Sequence, residues 1–264
     1  MNILVSINKG YISHFLTMLN SLAQNNINQK FNVYVMHSNL DNKACEYIEN
    51  KKPANVVLHY IFMNETMFKG APKVKRYPYE IYYRIFAPLY LPEDLDRVLY
   101  LDCDLIVHND ISNLYNTDFE GKLFVGCTQI GKFLNWFNRV RLTATKDAIY
   151  LNTGVLLMNL PELRKIVNPD EIFRFIKHNG WRMALYDQDV IFKFFGDRVK
   201  IVDRLVYNLA DRHIRAYNRH HKTKIDIHWV EQNNVIVHFL GRNKPWKPKY
   251  KGILKNFYTK YQIN

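Results

Sequence analysis

The chain predicts an α/β fold, a Rossmann-like, mainly parallel central sheet flanked by helices, on three observations. Short apolar runs alternate with segments whose hydrophobic residues recur at helical spacing, and that alternation is the signature of helices packed on both faces of a parallel sheet. With 264 residues, 48% of them hydrophobic and 14% aromatic, the chain can bury a large core and is neither disordered nor fibrous. No internal repeat and no linker rich in Pro, Gly and Ser divides it, so one large domain is expected.

Ile3 to Ile7 reads as the first strand, and Phe15, Leu16, Leu19, Leu22 and Ala23 then mark a helix stopped at Asn25-Asn26. A second strand runs from Phe31 to Met36. Asp41 can cap a short helix through Tyr47 and Ile48, and Val56 to Phe62 is a third strand. Tyr79 to Leu89 is apolar enough for a buried helix ending before Pro92, and a strand follows from Arg97 to Val107. Leu123 to Cys127 is another strand. Gly131 to Lys146, with Trp136, Phe137, Arg139 and Arg141, has poor periodicity and reads as either a loop over a site or a surface helix. A strand around Gly154 lies within Ile149 to Leu160. Asn168-Pro169-Asp170-Glu171 opens a helix with a cap, a first-turn proline and an acid placed for a capping box, and Gly180 ends it. Asp187 to Phe195 is a further helix, and Val235 to Phe239 a late strand.

Inside the Arg97–Val107 strand stand two carboxylates, Asp102 and Asp104. Residues two apart in an extended chain point to the same side, so both acids aim at one spot in apolar surroundings. Two bare like charges there would repel and lose hydration; a divalent cation removes both penalties. His238 ends an apolar strand, with Gly241 and Lys244 following, an arrangement resembling a turn that lets backbone approach an anion beside a fixed ammonium. A diphosphate fits that description. Two carboxylates and an imidazole suit Mn²⁺, with open positions left for diphosphate oxygens; Mg²⁺ is the alternative, although it prefers all-oxygen surroundings.

The first strand is not followed by G-x-G-x-x-G, and the chain has neither a Walker-type loop nor a G-x-S-x-G elbow, which removes ordinary dinucleotide, P-loop and serine-hydrolase readings. Cys45, Cys103 and Cys127 include no pair spaced for zinc or redox chemistry and suit a reducing cytosol. No run is long enough to span a bilayer and the N-terminal apolar run is too short for a signal peptide, so the expectation is a cytoplasmic protein, soluble or peripheral on the inner face of the membrane. The net charge of +13 invites nucleic acid, but no nucleic-acid-binding module is present and that partner is excluded. The basic excess gathers after Glu231, from Arg242 to Lys260, interleaved with Trp246, Tyr250, Phe257, Tyr258 and Tyr261. Residues 241–264 are read either as a solvated basic tail or as a tail held on an anionic membrane by rings at headgroup depth.

Asp102-Cys103-Asp104, Asn152-Thr153-Gly154-Val155, Asp187-Gln188-Asp189 and His238 through Trp246, with Tyr83-Arg84 ahead of them, resemble in order and spacing the retaining family 8 glycosyltransferases. The resemblance implies a GT-A fold over 1–240, a UDP-hexose donor and a glycan or glycolipid acceptor. It implies Asp102, Asp104 and His238 as metal ligands, Lys244 and the backbone at Gly241 on the diphosphate, and Arg84 on the donor. Asn152 and Asp187 would hold sugar hydroxyls, Gln188 would lie near the anomeric carbon, and Cys103 counts with the substrate side. Asp187 and Gln188 are the catalytic candidates. An amide is a poor nucleophile, so Gln188 favours attack on the face the diphosphate leaves, unless Asp187 moves into position.

Two departures stand out. Asn8 and Tyr11 fall where the family commonly has an aspartate reading the uracil edge and a tyrosine stacking on the base, and Gln129 falls where an acid often faces the acceptor. Rival readings are a metal-dependent nucleotidyltransferase or phosphohydrolase, and a non-catalytic protein of the membrane surface.

Overall fold

The computed structural model describes residues 1–64, 66 and 79–263. Among these residues seven strands form the central sheet: β1 (Asn2–Ser6), β2 (Phe31–His37), β3 (Val56–Phe62), β4 (Arg97–Leu101), β6 (Phe124–Thr128), β7 (Leu151–Asn159) and β8 (Val199–Ile201). A separate pair is made by β5 (Leu105–Val107) and β9 (Ile236–His238). The large sheet has the order β3-β2-β1-β4-β7-β6-β8, and only β7 runs against the others. The helices are α1 (Ile12–Gln24), α2 (Asn42–Lys51), α3 (Glu80–Phe86), α4 (Ser112–Tyr115), α5 (Lys132–Leu142), α6 (Leu160–Ile166), α7 (Pro169–Asn179), α8 (Tyr186–Phe195), α9 (Arg204–Tyr207), α10 (Asp211–His220), α11 (Ile227–Asn233) and α12 (Lys255–Thr259).

Strand alternation sorts the side chains into two layers. Leu4 and Tyr100 point into one core with Tyr83 and Ile85 of α3, Leu163 of α6, Ile176 of α7 and Val190 of α8. Their neighbours Ile3, Val5, Leu99 and Leu101 point the other way, onto Phe15 and Leu19 of α1, Ile48 of α2 and Leu114 of α4. Helix starts follow their caps: the Asp41 carboxylate accepts from Ala44 N–H, and the Asn168 amide oxygen from Asp170 and Glu171 N–H.

Two expectations are corrected. Arg97–Val107 is not one strand: the chain leaves the main sheet after Leu101 and enters the small one at Leu105, so Asp102 to Asp104 form the turn between two sheets. Asp102 N–H still reaches Gly154 O (2.8 Å), while Asp104 O already accepts from Phe239 N–H (3.0 Å), so each sheet claims one end of the turn. The aromatic rings of 241–264 are also not presented outward. Leu254, Phe257, Tyr258 and Tyr261 are buried with Ile106, Ile214, Val230 and Val237, and Trp246 packs against that cluster. Burial in a third core takes the rings that would have entered a headgroup layer, leaving exposed lysines at 247, 249, 251, 255 and 260. Among the described residues no helix is long and apolar enough to cross a membrane.

Candidate functional site

Asp102, Asp104 and His238 converge although 134 residues separate the second acid from the histidine. The Asp102–Asp104 turn brings two carboxylates, the end of β9 brings the imidazole, and one donor atom from each lies within 4.8 Å of the others. His238 Nε2 is 3.1 Å from Asp104 Oδ1 and 3.7 Å from Asp102 Oδ2. Gly154 on β7 floors the cluster.

The imidazole's proton is placed by a chain of amides. Gly154 N–H donates to Asn152 Oδ1 (3.2 Å), which also accepts from Asn208 Nδ2 (2.9 Å). That turns Asn208 Oδ1 towards His238 Nδ1 at 2.9 Å, so Nδ1 carries hydrogen and donates it. Nε2 is left facing two carboxylates, and only a proton or a cation makes that approach favourable. Two hard oxygens and an imidazole nitrogen fit a divalent metal such as Mn²⁺, and a histidine whose second nitrogen is already hydrogen-bonded is the usual form of such a ligand. Burial opposes ionisation of Asp104, but Lys244 and then His238 outweigh it and hold its carboxyl well below the usual range. The Lys244 ammonium donates to both Asp104 Oδ2 and Phe239 O.

Beneath the acids, Arg84 of α3 is almost fully buried and stacks on Tyr100, with its guanidinium carbon 4.2 Å from the ring centroid. Its Nη2 is 3.1 Å from Asp102 Oδ1, and its Nη1 is 3.3 Å from Asp187 Oδ2 and donates to Thr153 O at 2.8 Å. Tyr100 O–H donates to Asp102 Oδ1 (2.9 Å), and Thr153 O–H to Asp187 Oδ2 (2.5 Å). Burial raises the Asp187 carboxyl above its ordinary value, opposed first by Arg84 and then by Thr153. Arg84 therefore couples the Asp102–Asp104 turn to the start of α8.

The remaining candidates surround this centre. Tyr11 is exposed at the rim, edge-on to His14 and Trp246; partial burial, then Asp104, Cys103 and Asp102, push its hydroxyl up to about 12. Cys103 is buried, and desolvation followed by the two flanking acids keeps it a thiol. Gly241 adopts φ +84°, a left-handed turn that suits glycine. Gln188 is half-buried, and its side chain makes no hydrogen bond within the described residues. Asn8 serves a local turn, its Oδ1 accepting from Gly10 N–H (3.1 Å) and its backbone oxygen from Tyr11 N–H (2.9 Å), and its side chain bonds none of the other candidates. Gln129 donates to Asn208 O (3.3 Å), which ties it to the same network.

Asn208, Tyr100 and Thr153, to which the sequence assigns no role, hold the candidate residues in place. A polar residue at a loop or strand position carries no pattern of its own. Asp189 belongs to a different task. It is fully buried, takes two hydrogen bonds from Arg141 (2.8 and 2.9 Å), one from Tyr150 O–H (2.5 Å) and one from Ala184 N–H (2.7 Å), and so pins α5 to the start of α8.

A profile of Glycosyl transferase family 8 matches residues 2–249. The chain is similar to lipopolysaccharide 1,2-glucosyltransferase of Escherichia coli, with 23% identity over 86% of this chain and 67% of that protein. It is similar to lipopolysaccharide 1,3-galactosyltransferase of Salmonella typhimurium, with 26% identity over 74% of this chain and 57% of that protein. General stress protein A of Bacillus subtilis is 25% identical over 99% of this chain and 92% of its own length. Among solved structures, galactosyltransferase LgtC in complex with donor and acceptor sugar analogs superposes with a TM-score of 0.84 at 18% identity, covering 99% of this chain and 95% of that one. The architecture is the GT-A fold.

Proposed function

The chain belongs to glycosyl transferase family 8 and is a glycosyltransferase; from that premise we propose that it transfers glucose or galactose from a UDP-hexose to a glycan or glycolipid, with retention and with Mn²⁺ at Asp102, Asp104 and His238. The names of the lipopolysaccharide glucosyl- and galactosyltransferases it resembles support both the hexose and the acceptor class. The observation that carries the reading is the His238 ring, with Nδ1 committed to Asn208 and Nε2 turned on two carboxylates.

A divalent ion held there would neutralise charge on a departing diphosphate, the largest contribution expected in this reaction. Lys244 adds an ammonium from the same side, and the left-handed turn at Gly241 lets backbone approach an anion. Asp187 is held by Arg84 and Thr153, which suits it to gripping a sugar hydroxyl more than to swinging in as a nucleophile. Gln188, its amide uncommitted, would lie against the anomeric carbon and favour attack from the face the diphosphate vacates. Asn152 would hold a second sugar hydroxyl, and Asn8 and Tyr11 would meet the base.

Titration calorimetry with UDP and Mn²⁺ together tests this. Both should bind to the wild type, UDP should bind poorly in chelator, and Asp104→Ala should lose metal-dependent binding and about a hundredfold or more in transfer rate. Full transfer by that variant in chelator would overturn the reading. Release of intact UDP distinguishes sugar transfer from nucleotidyl transfer, which would leave pyrophosphate or a nucleotidyl product.

A further inference from the structure

Helix α5 is amphipathic in the inverted sense. Its buried side is formed by Leu142 with the half-buried Asn135 and Asn138, while Phe133, Leu134, Trp136, Phe137 and Val140 are each 50–74% exposed. At about 3.6 residues per turn, Phe133, Trp136, Phe137 and Val140 fall within a single arc of about 100°, with Leu134 and Arg141 on one flank and Lys132 and Arg139 on the other. Trp181, 84% exposed, stands on the adjoining turn, tied to α5 by the hydrogen bond from Arg141 to Arg182 O. Five large apolar side chains exposed on one helix, with Trp181 on the neighbouring turn, exceed the scattered exposure of an ordinary soluble face.

The helix is held rigidly from behind. Asn135 donates to Ala148 O (2.9 Å) and accepts from Tyr150 N–H (2.8 Å), and Arg141 is locked on buried Asp189. These bonds fix the outward direction of the apolar arc and consume the polar side of α5. The sequence bordering it is mainly basic: no acid occurs from Gly121 to Lys146 or from Gly180 to Tyr186, whereas Lys132, Arg139, Lys146 and Arg182 are present, and the exposed acid that follows Lys146 is Asp147. An apolar aromatic face bordered by cations matches an anionic bilayer, in which rings enter the headgroup–acyl boundary and lysine and arginine reach phosphate.

We propose that α5, with Trp181, docks the protein on an anionic lipid bilayer. The lysine-rich C-terminal segment, its rings buried, adds only long-range attraction. Arg141 ties α5 through Asp189 to the turn of α8 that bears Gln188, so docking would hold the active site close to a bilayer that carries the acceptor. That last consequence rests on the proposed transfer to a glycolipid; the docking itself does not.

Vesicle co-sedimentation with the full chain is the test, using phosphatidylcholine vesicles with and without 30% phosphatidylglycerol as a nominal composition (~30%). The wild type should bind the anionic vesicles, with Trp fluorescence shifted to the blue. Trp136→Ser combined with Phe137→Ser should weaken binding at least tenfold, and Lys132→Gln with Arg139→Gln about fivefold per charge removed. All four side chains lie outside the proposed catalytic centre, so UDP and Mn²⁺ binding should stay at the wild-type level, which separates failure of docking from failure of the proposed function. Unchanged vesicle binding by the Trp136/Phe137 variant would overturn the proposal, as would no binding by the wild type. A wild-type dimer in sedimentation that dissociates in that variant would also overturn it, by assigning the face to a second copy.

Discussion

Gly154 lies so close under the His238 ring that a Cβ built on it would fall 2.3 Å from Cε1, and 2.5 Å from Asp102 Oδ2. Neither atom is the free end of a flexible chain: the imidazole is fixed by Asn208, and the Asp102 carboxylate by Tyr100 and Arg84. Gly154→Ala should therefore push two of the three proposed metal ligands apart. We expect the variant to lose roughly 1–3 kcal/mol of stability through overpacking. Mn²⁺ affinity, read by calorimetry on protein whose fold is checked by circular dichroism, should fall by more than tenfold. Wild-type affinity in a folded Gly154→Ala protein would mean that the ion sits elsewhere.

Asn208 is not itself a proposed ligand of substrate or metal, yet it sets the proton on His238. Replacing it by alanine removes both the acceptor for Nδ1–H and the donor to Asn152. The ring can then take the other tautomer or rotate. Loss of such a supporting hydrogen bond costs about 10–100-fold in metal affinity. Asn208→Ala should show that loss in Mn²⁺ titrations while its thermal unfolding midpoint moves little by comparison.

Arg84 is a buried cation between two carboxylates, and its removal strands both. Arg84→Ala should cost about 3–5 kcal/mol in urea unfolding, since Asp102 and Asp187 lose a shared counter-charge inside the protein. Arg84→Lys should recover only part of that: a single ammonium has no planar fork with which to meet Asp102, Asp187 and the Thr153 carbonyl together and still lie on Tyr100. Equal stability of the lysine and arginine proteins would show that the fork geometry is not used.

These positions differ in how far the sequence announces them. The strand and helix alternation announces the sheet because the short apolar runs Ile3–Leu4–Val5 and Leu99–Tyr100–Leu101 supply both cores, one residue to each face in turn, while the helical spacing of Phe15, Leu19 and Leu22 supplies the layer that covers one of them. Asp102 and Asp104 were legible as a pair, but not as a turn, because apolar residues continue on both sides and local pattern does not say that β4 and β5 enter different sheets. Helix α5 looked aperiodic because its apolar stripe faces outward and its inner side carries two asparagines; the pattern is helical with the polarity reversed. In residues 241–264 composition reported rings and lysines correctly, yet the direction of a ring depends on Ile106, Ile214 and Val237, far away in the chain. Asn208 had no local signal, since its role is created by the packing of three distant segments.

His213 supplies a prediction in pH. It is buried on α10, its Nδ1 accepting from Ala210 N–H at 3.1 Å, and burial, then Arg212, Arg204 and His238, lower its pKa from 6.5 to about 3. The folded protein thus keeps this ring neutral where the unfolded chain protonates it. Between those two values the unfolded state binds the extra proton, so the stabilisation is fully present above about pH 6.5 and is lost progressively as pH falls towards about 3. From pH 7 to pH 5 this one group should remove about 2 kcal/mol. His14, His37 and His108, also lowered chiefly by burial, act in the same direction. In His213→Asn the amide oxygen can stand in for Nδ1 as acceptor, while the titration is gone. Urea unfolding at the two pH values should then show the wild type losing about 2 kcal/mol more than the variant. An identical loss in both proteins would place the His213 proton in the folded state and remove the argument for a neutral ring.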